Sequence, residues 1–118
     1  MDYMILIHNV ESDEAPAPGT PAFDENMAGW MAFNQRLIDG GHWIAGASLM
    51  PTATATTLRK EVGAPATVVD GPFAETKEQL GGFYLISASD LDQALELAGH
   101  IPLTSTLEVR PVAFRPDA

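Results

Sequence analysis

Asp70-Gly71-Pro72-Phe73-Ala74-Glu75-Thr76-Lys77-Glu78, followed by Leu80-Gly81-Gly82-Phe83-Tyr84, is the stretch on which the reading of this chain turns. It joins a bend-forming Asp-Gly-Pro to a charged cluster, a double glycine and an aromatic strand. The bend follows a strand end, where loops often carry binding and catalytic groups. Gly81-Gly82 is expected to turn the chain into a strand over Gly82–Ala88.

Upstream, Thr56–Val62 and Ala66–Asp70 read as a hairpin around Gly63-Ala64-Pro65. Before it, Trp43–Leu49 is a strand of small residues, Ala45 to Ser48, which leave room for close packing. A helix is predicted from Pro21 to Asp39, with Thr20 as N-cap, Asp24 and Glu25 in its first turn, and Gly40-Gly41 as its stop. Its apolar face is expected to be Phe23, Met27, Trp30, Asn34 and Leu37, with Met31 and Ile38 beside them. The polar, proline-rich segment from Glu11 to Pro21 reads as a loop, and Tyr3–His8 as a buried first strand.

Downstream, Ser89-Asp90-Leu91-Asp92 opens a second helix to about Gly99, with Leu91, Ala94, Leu95 and Ala98 expected inward. Thr106–Phe114 closes the chain as a strand, Pro111 marking an edge or a bulge. The order is strand, helix, strand, hairpin, strand, helix, strand. That is an α+β, ferredoxin-like split βαβ pattern with an antiparallel sheet and an inserted β-hairpin. Both helices carry one apolar side, so they should cover one sheet face. The other face mixes His8, Ser48, Glu108 and Arg110 with apolar residues, and a second copy of the chain is the expected cover.

At 118 residues, 46% of them hydrophobic, the chain fits one domain, residues 1–118, able to sustain a core unaided. It has no cysteine, which excludes disulfides, thiol nucleophiles and thiolate metal sites. Six basic against sixteen acidic residues give a net charge of −10, which argues against nucleic acid and anionic membranes as partners. No basic region precedes the apolar start, and no run approaches the roughly 20 apolar residues of a membrane span. The expected location is the cytoplasm.

The DGPFAETKE run resembles the signature of the YCII-related, or DGPF-domain, family. Further matching pieces are Met1–His8, Trp30–Gly41, Ala55-Thr56-Thr57, Val69–Tyr84, Asp92-Gln93-Ala94-Leu95-Glu96 and Glu108-Val109-Arg110-Pro111. The resemblance implies a dimeric α/β barrel, in which two ferredoxin-like sheets pack face to face around a cleft. That superfamily also holds muconolactone isomerases and small cofactor-independent monooxygenases. DGPF-domain proteins are associated with extracytoplasmic-function sigma factors, which implies a regulatory ligand sensor as the second reading. Some members place a histidine, paired with an aspartate, near the helical position that Trp30 occupies here.

Asp70 is the first candidate for chemistry, as a general base facing a cleft or as the acceptor of an Asx-type turn. His8 can exchange protons near neutral pH, or simply pack and hydrogen-bond. Phe73 is a candidate ligand-contacting aromatic, and Trp30 is either another or a filler of the core or cleft wall with its indole N–H bonded. Lys77, between Glu75 and Glu78, reads as a solvated ion-pair group or as a contact to an anionic ligand. Glu108 and Arg110 share one strand face, as an ion pair or, for Arg110, as an anion clamp. His42 is expected to be exposed, and His100 to end the second helix. The histidine spacing matches no metal motif, and no nucleotide, zincin or nucleophile-elbow motif is present. The expectation is a homodimer binding a small molecule without cofactor or metal, with Asp70 as base, His8 as its partner and cofactor-free isomerase- or lyase-like chemistry. A purely structural role for the motif, in building the dimer, is the third reading.

Overall fold

A computed structural model describes residues 1–12 and 15–116. The first strand, β1 (Asp2–Val10), alternates so that Tyr3, Ile5 and Ile7 are buried and Met4, Leu6 and His8 are not. That period of two is what a half-covered strand requires. Helix α1 (Pro21–Asp39) begins where Thr20 Oγ1 accepts the Phe23 N–H at 3.2 Å, with Pro21 in its first turn.

Then come β2 (Trp43–Ser48), a 3₁₀ turn at Thr52–Thr54, and the hairpin strands β3 (Thr56–Arg59) and β4 (Thr67–Asp70). The chain continues through β5 (Glu78–Ser87), α2 (Leu91–Ala98) and β6 (Thr106–Pro111). Asp90 caps α2, its Oδ1 accepting the Gln93 N–H at 2.9 Å, while Gln93 Oε1 accepts the Ser89 N–H at 2.7 Å. This is the reciprocal pattern of a capping box.

Four strands form one sheet in the order β2-β5-β1-β6, every neighbouring pair antiparallel, and β3 and β4 form a separate two-stranded sheet. The architecture is α+β and ferredoxin-like. β6 lies at the edge, as the proline at its end suggests, and the Val112 N–H prolongs the ladder to Asp2 O at 2.9 Å.

One face of the sheet carries the core. Ile5, Ile86 and Leu37 are its fully buried centre, joined by Tyr3, Ile7, Phe33, Tyr84, Leu97 and Ile101. Burying each such aliphatic side chain stabilises the fold by about 1.5–3 kcal/mol.

Several expectations are corrected. On α1 the buried positions are Phe33 and Leu37, whereas Met27, Met31 and Ile38 are exposed. On α2 Leu97 turns inward, and Leu91 and Leu95 face outward. Both helices are rotated relative to their apolar stripes because the sheet, rather than hydrophobicity alone, sets which side is covered. β5 starts four residues before the expected Gly82, and the double glycine lies inside it. Gly81 sits at a register shift between the pairs Ile7↔Gly82 and His8↔Leu80. A Cβ there would meet Asn9 Oδ1, and one on Gly82 would stand 2.8 Å from Ala47 O of β2. These glycines allow close approach of backbones and make no turn. Ser48 pairs with Gly82, so its place is on the helix-covered face; Ala45 and Ala47, opposite Leu85 and Phe83, take the open face.

Candidate functional site

Strand register assembles the open face. Met4 lies between Leu85 and Arg110, Leu6 between Phe83 and Glu108, and His8 between Leu80 and Thr106. The centre of this face is therefore apolar, with polar groups at its β6 edge and at the His8 end. His8 is half-buried and makes no hydrogen bond or ion pair among the described residues. Beside it, the Thr106 hydroxyl donates to Glu78 Oε1 at 3.0 Å. Arg110 Nη2 donates to Glu108 Oε2 at 2.7 Å, both side chains largely exposed. The pair lies within one strand, two residues apart, and does not bridge neighbouring strands.

Asp70 ends β4 and is exposed. Its carboxylate makes no hydrogen bond among the described residues, so the bend after it is not an Asx turn. Gly71 makes the bend itself, at φ +100°, a conformation that favours glycine. The Gly71 N–H donates to Ala55 O at 2.8 Å and Thr57 Oγ1 donates to Gly71 O at 2.7 Å, which locks the bend to the hairpin base. Phe73, next in line, is 81% exposed.

Two clefts flank this loop. One, of about 470 Å³, lies among Glu11, Thr52, Pro72, Glu75, Lys77 and Gln79. The other, of about 310 Å³ and mostly apolar, lies among Leu49, Met50, Ala55, Pro72 and Leu80. Leu80 is the residue opposite His8, so the second cleft adjoins the His8 end of the open face. Lys77 is the sequence candidate that lines a cleft; Asp70, His8, Trp30, Phe73 and Arg110 line neither. The expected Glu75–Lys77–Glu78 ion cluster is not formed: no carboxylate lies within ion-pair distance of Lys77 among the described residues, and Glu78 turns to Thr106.

Trp30 is on the opposite side of the sheet from His8. It stacks on Tyr84 at 6.2 Å and meets Phe33 edge-on at 6.3 Å. The structure thus joins Trp30 to the core aromatics and leaves it apart from His8 and Asp70. Among the described residues no three His, Asp or Glu side chains gather as a metal-binding group.

Two polar anchors escaped the sequence reading. Glu11 accepts the Thr52 N–H at 2.8 Å and the Thr52 hydroxyl at 2.7 Å, tying the end of β1 to the turn after β2. His42, expected to be exposed, is half-buried with Nδ1 2.8 Å from Ser87 O. Both contacts span more than forty residues of chain, so no local pattern announces them.

The Thr52 hydroxyl, and secondarily its N–H, hold the Glu11 carboxyl below the ordinary glutamate value, against a small opposing effect of burial. Its contribution to stability is fully present above the unfolded value of about 4.3 and is lost as pH falls through the lower folded value. NMR titration should place the Glu11 midpoint below the ordinary value, and Thr52→Val should move it back up. An unmoved midpoint would mean that the hydroxyl contact is not made in solution.

The YCII-related domain profile matches residues 1–114. An uncharacterised protein of Rhizobium meliloti (strain 1021) is 42% identical over 119 residues, an alignment covering 97% of this chain and 94% of that protein. No helix among the described residues is long and apolar enough to cross a membrane. The split βαβ sheet, the DGPF bend on its inserted hairpin and a match across nearly all of its length agree: this chain belongs to the YCII-related domain family.

Proposed function

We propose that two copies of the chain press their open sheet faces together and bind a small organic molecule, aromatic or apolar with a polar end, beside His8. The observation that carries this reading is the position of His8. It is a half-buried imidazole with no partner among the described residues, at the end of an apolar sheet face, and its neighbour Leu80 lines a cleft of about 310 Å³. That volume is at the lower bound for small-molecule sites.

The dimer is supported by area and shape. The chain exposes 8373 Å², whereas a folded monomer of this mass exposes about 6,200 Å². Its Cα radius of gyration is 16.5 Å, against about 13.5 Å for a compact domain of this length. The excess of roughly 2,200 Å² is within what one protomer hides in an obligate homodimer.

The chemistry suited to such a site is cofactor-free proton transfer of the isomerase or lyase type. His8 passes the proton, Asp70 supplies the carboxylate from the hairpin, and Arg110 meets an anionic group of the ligand on the same face as His8. Phe73 and Lys77 contact the ligand from the loop, while Trp30 supports the wall of the sheet from behind. A thermal-shift screen of small aromatic and carboxylic compounds tests the reading, since ligand binding raises Tm by mass action. A compound that stabilises the wild type should bind His8→Gln about tenfold more weakly, the loss of one hydrogen bond to a charged group. Equal affinity for the two proteins would remove His8 from the site. Tight binding without turnover would favour the sensor over the enzyme.

A further inference from the structure

We propose that Glu78 is a ligand-recognition residue of the His8 site, and that the polar end it selects is a hydroxyl group, alcoholic or phenolic. The inference rests on the reading of a ligand beside His8 and names the chemistry of that ligand's polar end.

Strand register puts three polar side chains on one patch of the open face. His8 lies opposite Thr106 of β6, and Val10, two residues on along β1, lies opposite Glu78 of β5. Directly opposed residues of an antiparallel pair share a face, and so do residues two apart on a strand. Glu78, His8 and Thr106 therefore project from the same side. β1 runs between β5 and β6, which puts those two strands about 10 Å apart, two strand spacings. Yet the Thr106 hydroxyl donates to Glu78 Oε1 at 3.0 Å. The Glu78 side chain closes that gap by lying across β1, between Val10 and His8. Its carboxylate thus ends beside the His8 side chain. Asp70 belongs to the separate hairpin sheet and has no such tie.

Hydrogen-bonding capacity decides what fits there. Thr106 has one hydroxyl proton and spends it on Glu78 Oε1. Glu78 Oε2 accepts no hydrogen bond among the described residues, and no Lys or Arg among them lies within ion-pair distance of Glu78. A ligand arriving beside His8 meets an acceptor oxygen and an imidazole with an N–H to give. A hydroxyl satisfies both, donating to Glu78 and accepting from His8. A methyl ether has no proton for the Glu78 oxygen. A carboxylate has none either, and it meets a like charge with no cation paired to it. Leu80, opposite His8, and Leu6, two residues before it, are the apolar surface for the rest of the ligand.

Titration of the full chain with para-ethylphenol, its methyl ether para-ethylanisole and para-ethylbenzoate tests Glu78. Binding is followed by NMR on the His8 imidazole protons, assigned with His8→Gln. The phenol is expected to bind the wild type at least ~tenfold more tightly than either analogue, the effect of one hydrogen bond to a charged group. In Glu78→Leu the phenol and the ether should bind alike. In Glu78→Gln, which keeps an acceptor without the charge, the discrimination against the benzoate should shrink. The wild-type affinities alone decide the point if a variant fails to fold. Equal binding of phenol and ether to the wild type, with His8 signals moved by both, overturns the role of Glu78 and leaves a ligand beside His8. Failure of all three compounds to move those signals up to their solubility limits overturns both readings.

Discussion

Replacing Tyr84 with alanine is expected to destabilise the protein by about 3–5 kcal/mol, the range for emptying a large aromatic site. Tyr84 is the hub of the core aromatics. Trp30 stacks on it, Phe33 meets it edge-on at 5.1 Å, and Trp43 meets it edge-on at 5.9 Å. Gly46 leaves room for this cluster, because a Cβ there would stand 2.9 Å from the Tyr84 ring and 3.2 Å from that of Trp43. The Tyr84 hydroxyl donates to Asn34 Oδ1 at 2.7 Å, so the ring also fastens α1 to the sheet. Urea denaturation measures the loss. Tyr84→Phe, which keeps the packing, should lose only about 0.5–1.5 kcal/mol. Burial also raises the Tyr84 phenol above its ordinary value. The proton is then held more tightly in the folded chain, so this contribution is complete below the unfolded value of about 10 and disappears as pH rises through the folded one. Wild type should lose stability in that alkaline window relative to Tyr84→Phe; parallel profiles would count against a buried phenol.

Gly82→Val is expected to destabilise by about 1–3 kcal/mol, and by the upper part of that range, because the obstacle is backbone. The missing Cβ would stand 2.8 Å from Ala47 O and 3.4 Å from Ser48 Cα. Strand β2 must move away, and with it the Trp43 and Gly46 side of the aromatic cluster. Gly71→Ala has no such obstacle, since nothing lies within 4 Å of its Cβ position. Comparing the two denaturation midpoints separates steric from conformational need. A Gly82→Val protein as stable as wild type would show that β2 is not held against β5 as described.

The strands and helices were legible because their signals are local. The apolar, β-forming run Tyr3–His8, the Thr20-Pro21 start of α1 and the Ser89–Asp92 start of α2 are read within a few residues. The DGPF run identified the family for the same reason. Helix rotation was less legible: Leu91 and Leu95 are as apolar as Leu97, and only the neighbouring sheet selects which of them is covered. The double glycine had two compatible uses, a turn or a close approach, and the position of Ala47 chose between them.

Composition and short-range pattern were thus sufficient for the α+β class, the acidic surface and the absence of any thiol chemistry. Tertiary pairing alone settled which groups are neighbours: His8 beside Leu80 and Thr106, Glu11 on Thr52, Trp30 on Tyr84 and away from both. A hydrogen-bonded turn closes over three or four residues and is written in them. A register shift at Gly81 decides partners more than seventy residues apart in the chain, between Ile7↔Gly82 and His8↔Leu80, and no window along the sequence contains both sides of that choice.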